Sequence, residues 1–410
     1  MNLFALSWKN LFSKPLSLAL SLVLFALGVG LISLLLLVNR QLEEKFEKNL
    51  AGIDLVIGAK GSPLQLILSS MYHVDAPTGN IPIQEVRPFL NPRHPFIKTA
   101  VPLSLGDSYK GYRIVGTTSA FFQVYGAETG MGKMFEKPME AVVGANVAEA
   151  LGLSIGDSFF SSHGLLEELD MEHDHAAFRV TGILKPTGSA ADQLILTAPQ
   201  SIWQVHEHGS GDSHQHENDL SRPLMDFPDK DITALMLQFK GRNIQTLNMQ
   251  RSINENTNLQ AATPAIEITR LYSLMGVGAD ALRWLAFIII GVSGLSIFIS
   301  LYASLKERRY ELALMRTMGA SPFRLFTLII LEGLMLAVLG YGIGIALSHG
   351  GMEILGGFLQ DTYRYTFTGK VFLQEELHLL LGALGVGFVA AVIPALQASS
   401  TDIHETLSGR

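Results

Sequence analysis

The chain has 410 residues, 48% of them hydrophobic and 16% charged, with a mean hydropathy of +0.30 and a net charge of −7. That is enough chain for two or three structural units and too apolar for an ordinary soluble enzyme. With no cysteine, disulfides and thiolate metal centres are excluded, and the acidic balance without a long basic run argues against a nucleic-acid partner.

Residues 1–15 read as a cytoplasmic interfacial helix. In "LFALSWKNLFSKP", Phe4, Trp8 and Phe12 recur at i, i+4 and i+8, with Lys9 and Lys14 off that line. The pattern fits an amphipathic helix lying in the membrane interface, and equally an extension of the first span. Residues 16–38 run 23 residues without a charge, more than the ~20 needed to cross the hydrocarbon core. Asn39-Arg40 follows in place of a small-residue cleavage site, so this segment is expected to stay as a membrane helix.

Residues 39–283 read as a folded α+β domain. Strand signals stand at "IDLVIGA" (53–59), "YRIVGTT" (112–118), "EAVVGANV" (140–147), "FRVTGIL" (178–184), "QLILTA" (193–198) and "ITALMLQF" (232–239), with helical patterns such as "NVAEALGL" between them. Residues 41–50 and 264–283 read as helical stalks that prolong the flanking spans, and 209–223 as a polar loop.

Further spans are expected at 284–305, 325–347 and 377–397, joined by a connector at 306–324 and a loop at 348–376, with a tail at 398–410. Lys9 and Lys14 precede the first span, and Lys306, Arg308, Arg309, Arg316 and Arg324 fill the connector. The 348–376 loop offers only Arg364 and Lys370 against Glu353, Asp361, Glu375 and Glu376. The positive-inside rule therefore places both termini and the connector in the cytoplasm, and residues 39–283 and 348–376 outside it. Glu332, alone among the charges within a span, is expected to pair with the connector or cap a neighbouring helix rather than serve a pathway. Gly340, Gly342, Gly344 and Ala346 make the third span small-faced, which points to close helix packing.

The connector carries a short helix signal. Tyr310, Leu314 and Met318 make one apolar stripe on an otherwise charged segment, Gly319 stands where a helix C′ glycine would, and Ser321-Pro322 reads as the cap and first residue of the next helix. Span two is expected to run on into this helix. A helix so short is marginal in water, so its stripe needs a surface: lipid headgroups or a protein.

Seven of the twelve histidines fall within 163–216, six of them in three H-x-H pairs. His173, His175, His206, His208, His214 and His216, flanked by acids, are candidate zinc ligands, because imidazole and carboxylate suit that ion. A solvated polar loop explains the same residues. No G-x-x-x-x-G-K-[ST] or H-E-x-x-H occurs, and no serine elbow organises a triad, so the chain is read as non-enzymatic.

"ERRYELALMRTMGAS" resembles the signature connector of the MacB/FtsX/LolC-type permeases of the type VII ABC transporter superfamily, ERR-x-E-(I/L)-(G/A)-x-(L/M)-(R/K)-x-(L/M)-G-A-(S/T). The match runs through Glu307, Arg308, Arg309, Glu311, Leu312, Ala313, Met315, Arg316, Met318, Gly319, Ala320 and Ser321. "LSWKNLFSKPLSLAL", "AVVGANVAEALGLSIGDSF" and "VAAVIPALQASSTDIHETL" also resemble family segments, so the likeness covers essentially the whole chain.

The resemblance implies four transmembrane helices with a large periplasmic α+β core domain between helices 1 and 2, in the bacterial inner membrane. It implies that the connector is a coupling helix on a cytoplasmic ABC ATPase dimer, which binds the ATP. Glu307, Arg308, Arg309, Tyr310, Glu311, Leu314, Met315, Arg316, Met318, Gly319 and Ala320 would form the contact. It further implies a second permease chain, a periplasmic partner or substrate such as a lipoprotein or peptide, and mechanotransmission in place of a substrate channel. The alternative within the family is an FtsX-like scaffold that activates a periplasmic hydrolase. "SSMYHVDAPTGNIP" and "LKPTGSAADQLILTAPQSIWQVHEHG" resemble a subgroup linked to zinc-responsive gene clusters, which adds weight to zinc.

Overall fold

A computed structural model describes residues 3–13, 15–163, 172–206, 220, 222–363 and 367–400. The chain divides into two compact units, Met1–Leu42 with Leu274–Arg410, and Glu43–Ser273. It opens with α1 (Leu3–Leu11) and α2 (Pro15–Leu50), and α2 runs unbroken from the first unit into the second.

The second unit begins with β1 (Leu55–Ala59) and α3 (Pro63–Ile67), capped by Ser62, whose hydroxyl accepts from Gln65 N. A π-helical turn, Leu68–Tyr72, leads to β2 (Ile81–Pro82) and α4 (Ile83–Leu90). The long strand β3 (Ile97–Tyr109) pairs with β4 (Tyr112–Gly116) through a two-residue turn. Lys110 and Gly111 both have positive φ, 47° and 76°, as a hairpin matched to strand twist requires. Then come α5 (Ser119–Tyr125), β5 (Thr129–Gly132), β6 (Glu140–Val143), α6 (Ala145–Leu151), β7 (Ser158–His163), β8 (Glu172–Leu184), β9 (Ile195–Thr197) and α7 (Pro199–His206). β10 (Asp231–Ile232), β11 (Ala234–Phe239), α8 (Ile244–Asn256) and β12 (Leu259–Ala262) complete the unit.

The large sheet has the order β12-β1-β11-β3-β4-β9-β6-β8-β5, and β7 pairs with both β3 and β8. That double pairing closes β3, β4, β9, β6, β8 and β7 into a ring, so those six strands leave no open edge, while β12 and β5 stand at the ends of the sheet. One face of the ring builds a core from Ile114, Val143, Phe159, Phe178, Val180 and Ile195. A second core joins Val56, Leu103, Val115, Phe121, Val142 and Leu196, and takes in Phe46 and Leu50 from the end of α2. Asn49 fixes the same end by accepting from Ala190 N at 2.7 Å.

All six strand signals read in the sequence correspond to strands: β1, β4, β6, β8, β9 and β11. β3 was not among them, because Pro102 and the polar Ser104–Ser108 stretch hide it. Pro102 is tolerated because its neighbour Leu103 bonds toward β11, accepting from Thr233 N, while pairing with β4 starts only at Ser104.

The first unit is helical. α9 (Pro264–Glu307), α10 (Arg309–Thr317), α11 (Pro322–Tyr363) and α12 (Gln374–Ser399) follow the domain. α2, α9, α11 and α12 are long and apolar enough to cross a membrane. Glycines let them approach closely: a Cβ on Gly344 would lie 2.8 Å from Ala26 O, and one on Gly340 2.7 Å from Phe25. Gly342 meets nothing within 4 Å, so the expected small face is real but narrower than the sequence pattern.

Candidate functional site

α1 is a separate helix, laid on α11. Ser7 donates to Leu328 O at 3.3 Å and Leu11 is buried, while Phe4, Trp8 and Phe12 stay outward. Asn10 Nδ2 donates to Glu332 Oε1 at 2.8 Å. The amphipathic pattern thus sorts a packing face from an apolar outer face.

α9 does not continue into the connector helix as the sequence led us to expect. It stops at Glu307, Arg308 leaves helical geometry with φ −100° and ψ 14°, and α10 starts at the next residue. The interruption has a physical cause. Arg308 caps α10 through its carbonyl, which accepts from Leu312 N, and its guanidinium is held by two carboxylates. Nε lies 3.2 Å from Glu311 and Nη1 3.3 Å from Glu332. Glu332, buried within α11, is therefore neutralised by the connector, with Asn10 of α1 as its second donor.

The two faces of α10 differ sharply. Leu312 and Ala313 are buried, and Met315 packs against the bundle core. Arg316 donates to Ser399 O at the end of α12. On the opposite face Tyr310 is 62% exposed, Leu314 47% and Met318 81%. Glu307, Arg309, Glu311 and Gly319 are exposed around this stripe, and Ala320 is half-buried. Gly319 has φ 96°, and Ala320 N donates back to Met315 O at 2.9 Å, which closes the helix before Pro322 opens α11.

Of the residues expected to form the contact, Arg308, Met315 and Arg316 thus turn inward and hold the helix in place. Tyr310, Leu314 and Met318 form the outward apolar stripe. The anchoring partners Asn10 and Ser399 lie far away in sequence, and no local signal marks them.

The histidines are differently placed. His206 ends α7, with Nε2 3.2 Å from Oδ1 of the buried Asp107. His173 and His175 stand on β8. His208, His214 and His216 lie outside the described residues. Among the described residues no three His, Asp or Glu side chains are arranged to share an ion.

Comparison with known proteins gives two family matches. The MacB-like periplasmic core domain matches residues 18–248, and the FtsX-like permease C-terminal family matches residues 284–403. The ABC transporter permease YtrF of Bacillus subtilis is 24% identical over 196 residues, which is 42% of this chain and 44% of that protein. The chain therefore matches less than half of that relative's length.

Two solved structures are similar to the chain. One is the extracellular domain of the noncanonic ABC-type transporter YknZ from Gram-positive bacteria, with TM-score 0.29 and 13% identity over 52% of this chain and 99% of that one. The other is a domain of a permease protein from Porphyromonas gingivalis, with TM-score 0.25 and 12% identity over 51% of this chain and 86% of that one. The periplasmic-core match spans more than half of the chain and the permease match covers three of its four membrane-type helices. The chain is a multi-pass membrane protein that belongs to the MacB/FtsX-type ABC transporter permeases.

Proposed function

We propose that the chain is the membrane subunit of an ATP-driven complex and that α10 is the seat of a cytoplasmic ABC ATPase. The observation that carries this is the division of α10 into an anchored face and an outward face. A helix tied to α11 and α12 can pass on displacement, and an exposed stripe of Tyr310, Leu314 and Met318 needs a covering surface. Apolar anchors ringed by charge match the centre-and-rim pattern of protein interfaces. ATP would bind and be hydrolysed on the partner. Both termini and α10 would face the cytoplasm of a bacterial inner-membrane protein, with the Glu43–Ser273 unit in the periplasm. Motion of the ATPases would reach that unit through α2 and α9, each continuous between the two units, to act on a periplasmic partner or substrate.

Leu314→Asp tests the seat, because it puts a charge in the stripe without touching the anchored face. Wild-type chain solubilised from its native membrane should carry vanadate-sensitive ATP hydrolysis through affinity purification, and L314D should lose it. Equal activity at equal yield would refute the assignment. A separate proposal, zinc uptake by the H-x-H histidines, rests on their spacing in the sequence. It predicts that replacing His206, His208, His214 and His216 by alanine lowers zinc uptake by the full chain at pH 7.5, and unchanged uptake rejects it.

A further inference from the structure

Residues 367–373, non-helical backbone ahead of α12, lie tightly on three helices of the first unit. On α2, Gln41 holds Thr368 by both ends of its amide: Nε2 donates to Thr368 O at 2.8 Å, and Oε1 accepts from Thr368 N at 3.0 Å. On α11, Glu353 Oε2 accepts from Gly369 N at 2.8 Å and from the Thr368 hydroxyl at 3.1 Å. On α12, Glu376 Oε2 accepts from Leu373 N at 3.1 Å. The approach needs glycine twice, because a Cβ on Gly369 would run into His349 O and one on Gly356 into Phe367 O.

His349 of α11 joins these contacts. Its ring stacks on Phe372 with centroids 4.5 Å apart, Nδ1 meets Gly369 O, and Nε2 lies 2.9 Å from Glu376 Oε1. The His349 side chain is 11% exposed and that of Glu376 5%. A carbonyl oxygen only accepts, so Nδ1 carries a hydrogen, and Nε2 then carries one only in the imidazolium. Glu376 Oε1 also accepts from Ser33 at 2.8 Å, and Ser33 bonds with Ser348 at 2.6 Å. The contact between Nε2 and Oε1 therefore requires one further proton, on the ring or on the carboxyl. Without it two lone pairs face each other in a buried site. Three other titratable groups surround the pair. Tyr341 donates its hydroxyl to Glu376 O, and Glu353 and Lys370 stand 3.8 Å apart. α2 contributes the uncharged Ser33 and Gln41.

We propose that His349 and Glu376 form a proton-binding site and that residues 367–373 are the strap it holds closed. With the proton bound, the strap ties α2, α11 and α12 together. When the proton passes to solvent, Nε2 and the carboxylate repel, His349 turns away from Gly369 O, and the strap lifts with its hold on Gln41. Gln41 stands beside Leu42, where α2 leaves the helical unit for the Glu43–Ser273 unit. The site thus sets how firmly α2 is held at that exit. It is separate from the ATPase seat on α10 and is tested without nucleotide.

The chain has no cysteine, so Lys370→Cys, at an exposed side chain of the strap, takes a single nitroxide label. Electron spin resonance of the full chain in lipid nanodiscs reads the mobility of the strap from pH 5 to pH 9. The label should be immobilised at the acid end, and its correlation time should shorten severalfold, reversibly, toward the alkaline end. Three further changes are made in that labelled chain. Glu376→Gln puts an amide N–H where the shared proton lies, so the strap should stay immobilised throughout. His349→Leu should leave it mobile throughout, and thermal unfolding checks that this variant is folded. Glu353→Gln keeps an acceptor for Gly369 N and should retain the switch. A wild-type label of equal mobility at both ends, a transition in E376Q like that of the wild type, or a strap still immobilised in H349L would overturn the proposal. A switch lost in E353Q and kept in E376Q would overturn the assignment in favour of Glu353.

Discussion

At the scale of single residues, the charge on Glu332 is the most consequential. An isolated carboxylate among membrane-type helices would be expensive, and the structure meets it with Arg308 at 3.3 Å and Asn10 at 2.8 Å. Removing one partner of a buried pair costs more than the pair contributes, because the other charge is stranded. Arg308→Ala should therefore destabilise the bundle by about 3–5 kcal/mol, whereas the exposed Arg309→Ala should change stability little. Replacing both partners, as Arg308→Met with Glu332→Leu, should recover much of the loss. Thermal unfolding in one detergent ranks the variants, and equal midpoints for R308A and R309A would show that the pair carries no weight.

His73 gives a second residue-scale prediction, in the other unit. It follows the π-helical turn in left-handed geometry, with φ 55°, and is buried with no partner for either ring nitrogen among the described residues. Its carbonyl accepts from Arg113 Nε at 2.9 Å, and the Arg113 guanidinium also donates to Asp75 O. Burial first, and Arg113 second, push the imidazole down to about 3 from 6.5. Between those values the unfolded chain binds a proton that the folded chain does not. The stability that neutral His73 allows is thus present above about 6.5 and lost as pH falls through that value toward 3. His73→Asn keeps a residue that tolerates positive φ and removes the titration. The unfolding midpoint of the wild type should drop more steeply between pH 7 and pH 5 than that of the variant, and parallel profiles would reject the assignment.

At the scale of elements, the bundle is organised by helix crossings. α11 and α12 meet at a reciprocal pair: a Cβ on Gly333 would lie 2.8 Å from Gly387 O, and one on Gly387 2.8 Å from Gly333 O. Gly387→Ala should lower the thermal midpoint, since overpacking of this kind costs ~1–3 kcal/mol. Gly382→Ala, on the same helix with open space around it, should leave the midpoint equal or higher, because alanine favours helix by ~1 kcal/mol over glycine. The opposite ranking would show that propensity outweighs the crossing.

The elements also show what a sequence can and cannot disclose. Apolar runs of span length marked all four long helices, since hydropathy is a local property. β1, β4, β6, β9, β11 and the second half of β8 are legible as short apolar, β-branched runs, again local. The closure of the ring by β7 was not, because Asp107↔His163 and Phe159↔Phe178 are pairings set by the whole sheet. In α10 the stripe Tyr310, Leu314, Met318 was legible from its spacing. That Met315 and Arg316 face inward was not, because their partners come from the bundle core and from Ser399.

At the scale of the molecule, the count of docking elements bears on assembly. The connector at 306–324 supplies one such helix, α10, with one outward stripe. The family resemblance implies ATPases that work as a closing pair, so on the proposed reading one chain would seat half of what it needs. We therefore expect an active complex of two permease chains and two ATPases, related by a twofold or pseudo-twofold axis. Native mass measurement in nanodiscs should give that stoichiometry. A mixed assembly, with one tagged wild-type chain and one L314D chain, should retain a single ATPase and lose most ATP hydrolysis, because closure needs both. A single permease chain with full ATPase activity would contradict the paired assembly. It would leave the seat on α10 intact, since L314D in that single chain would still release its ATPase.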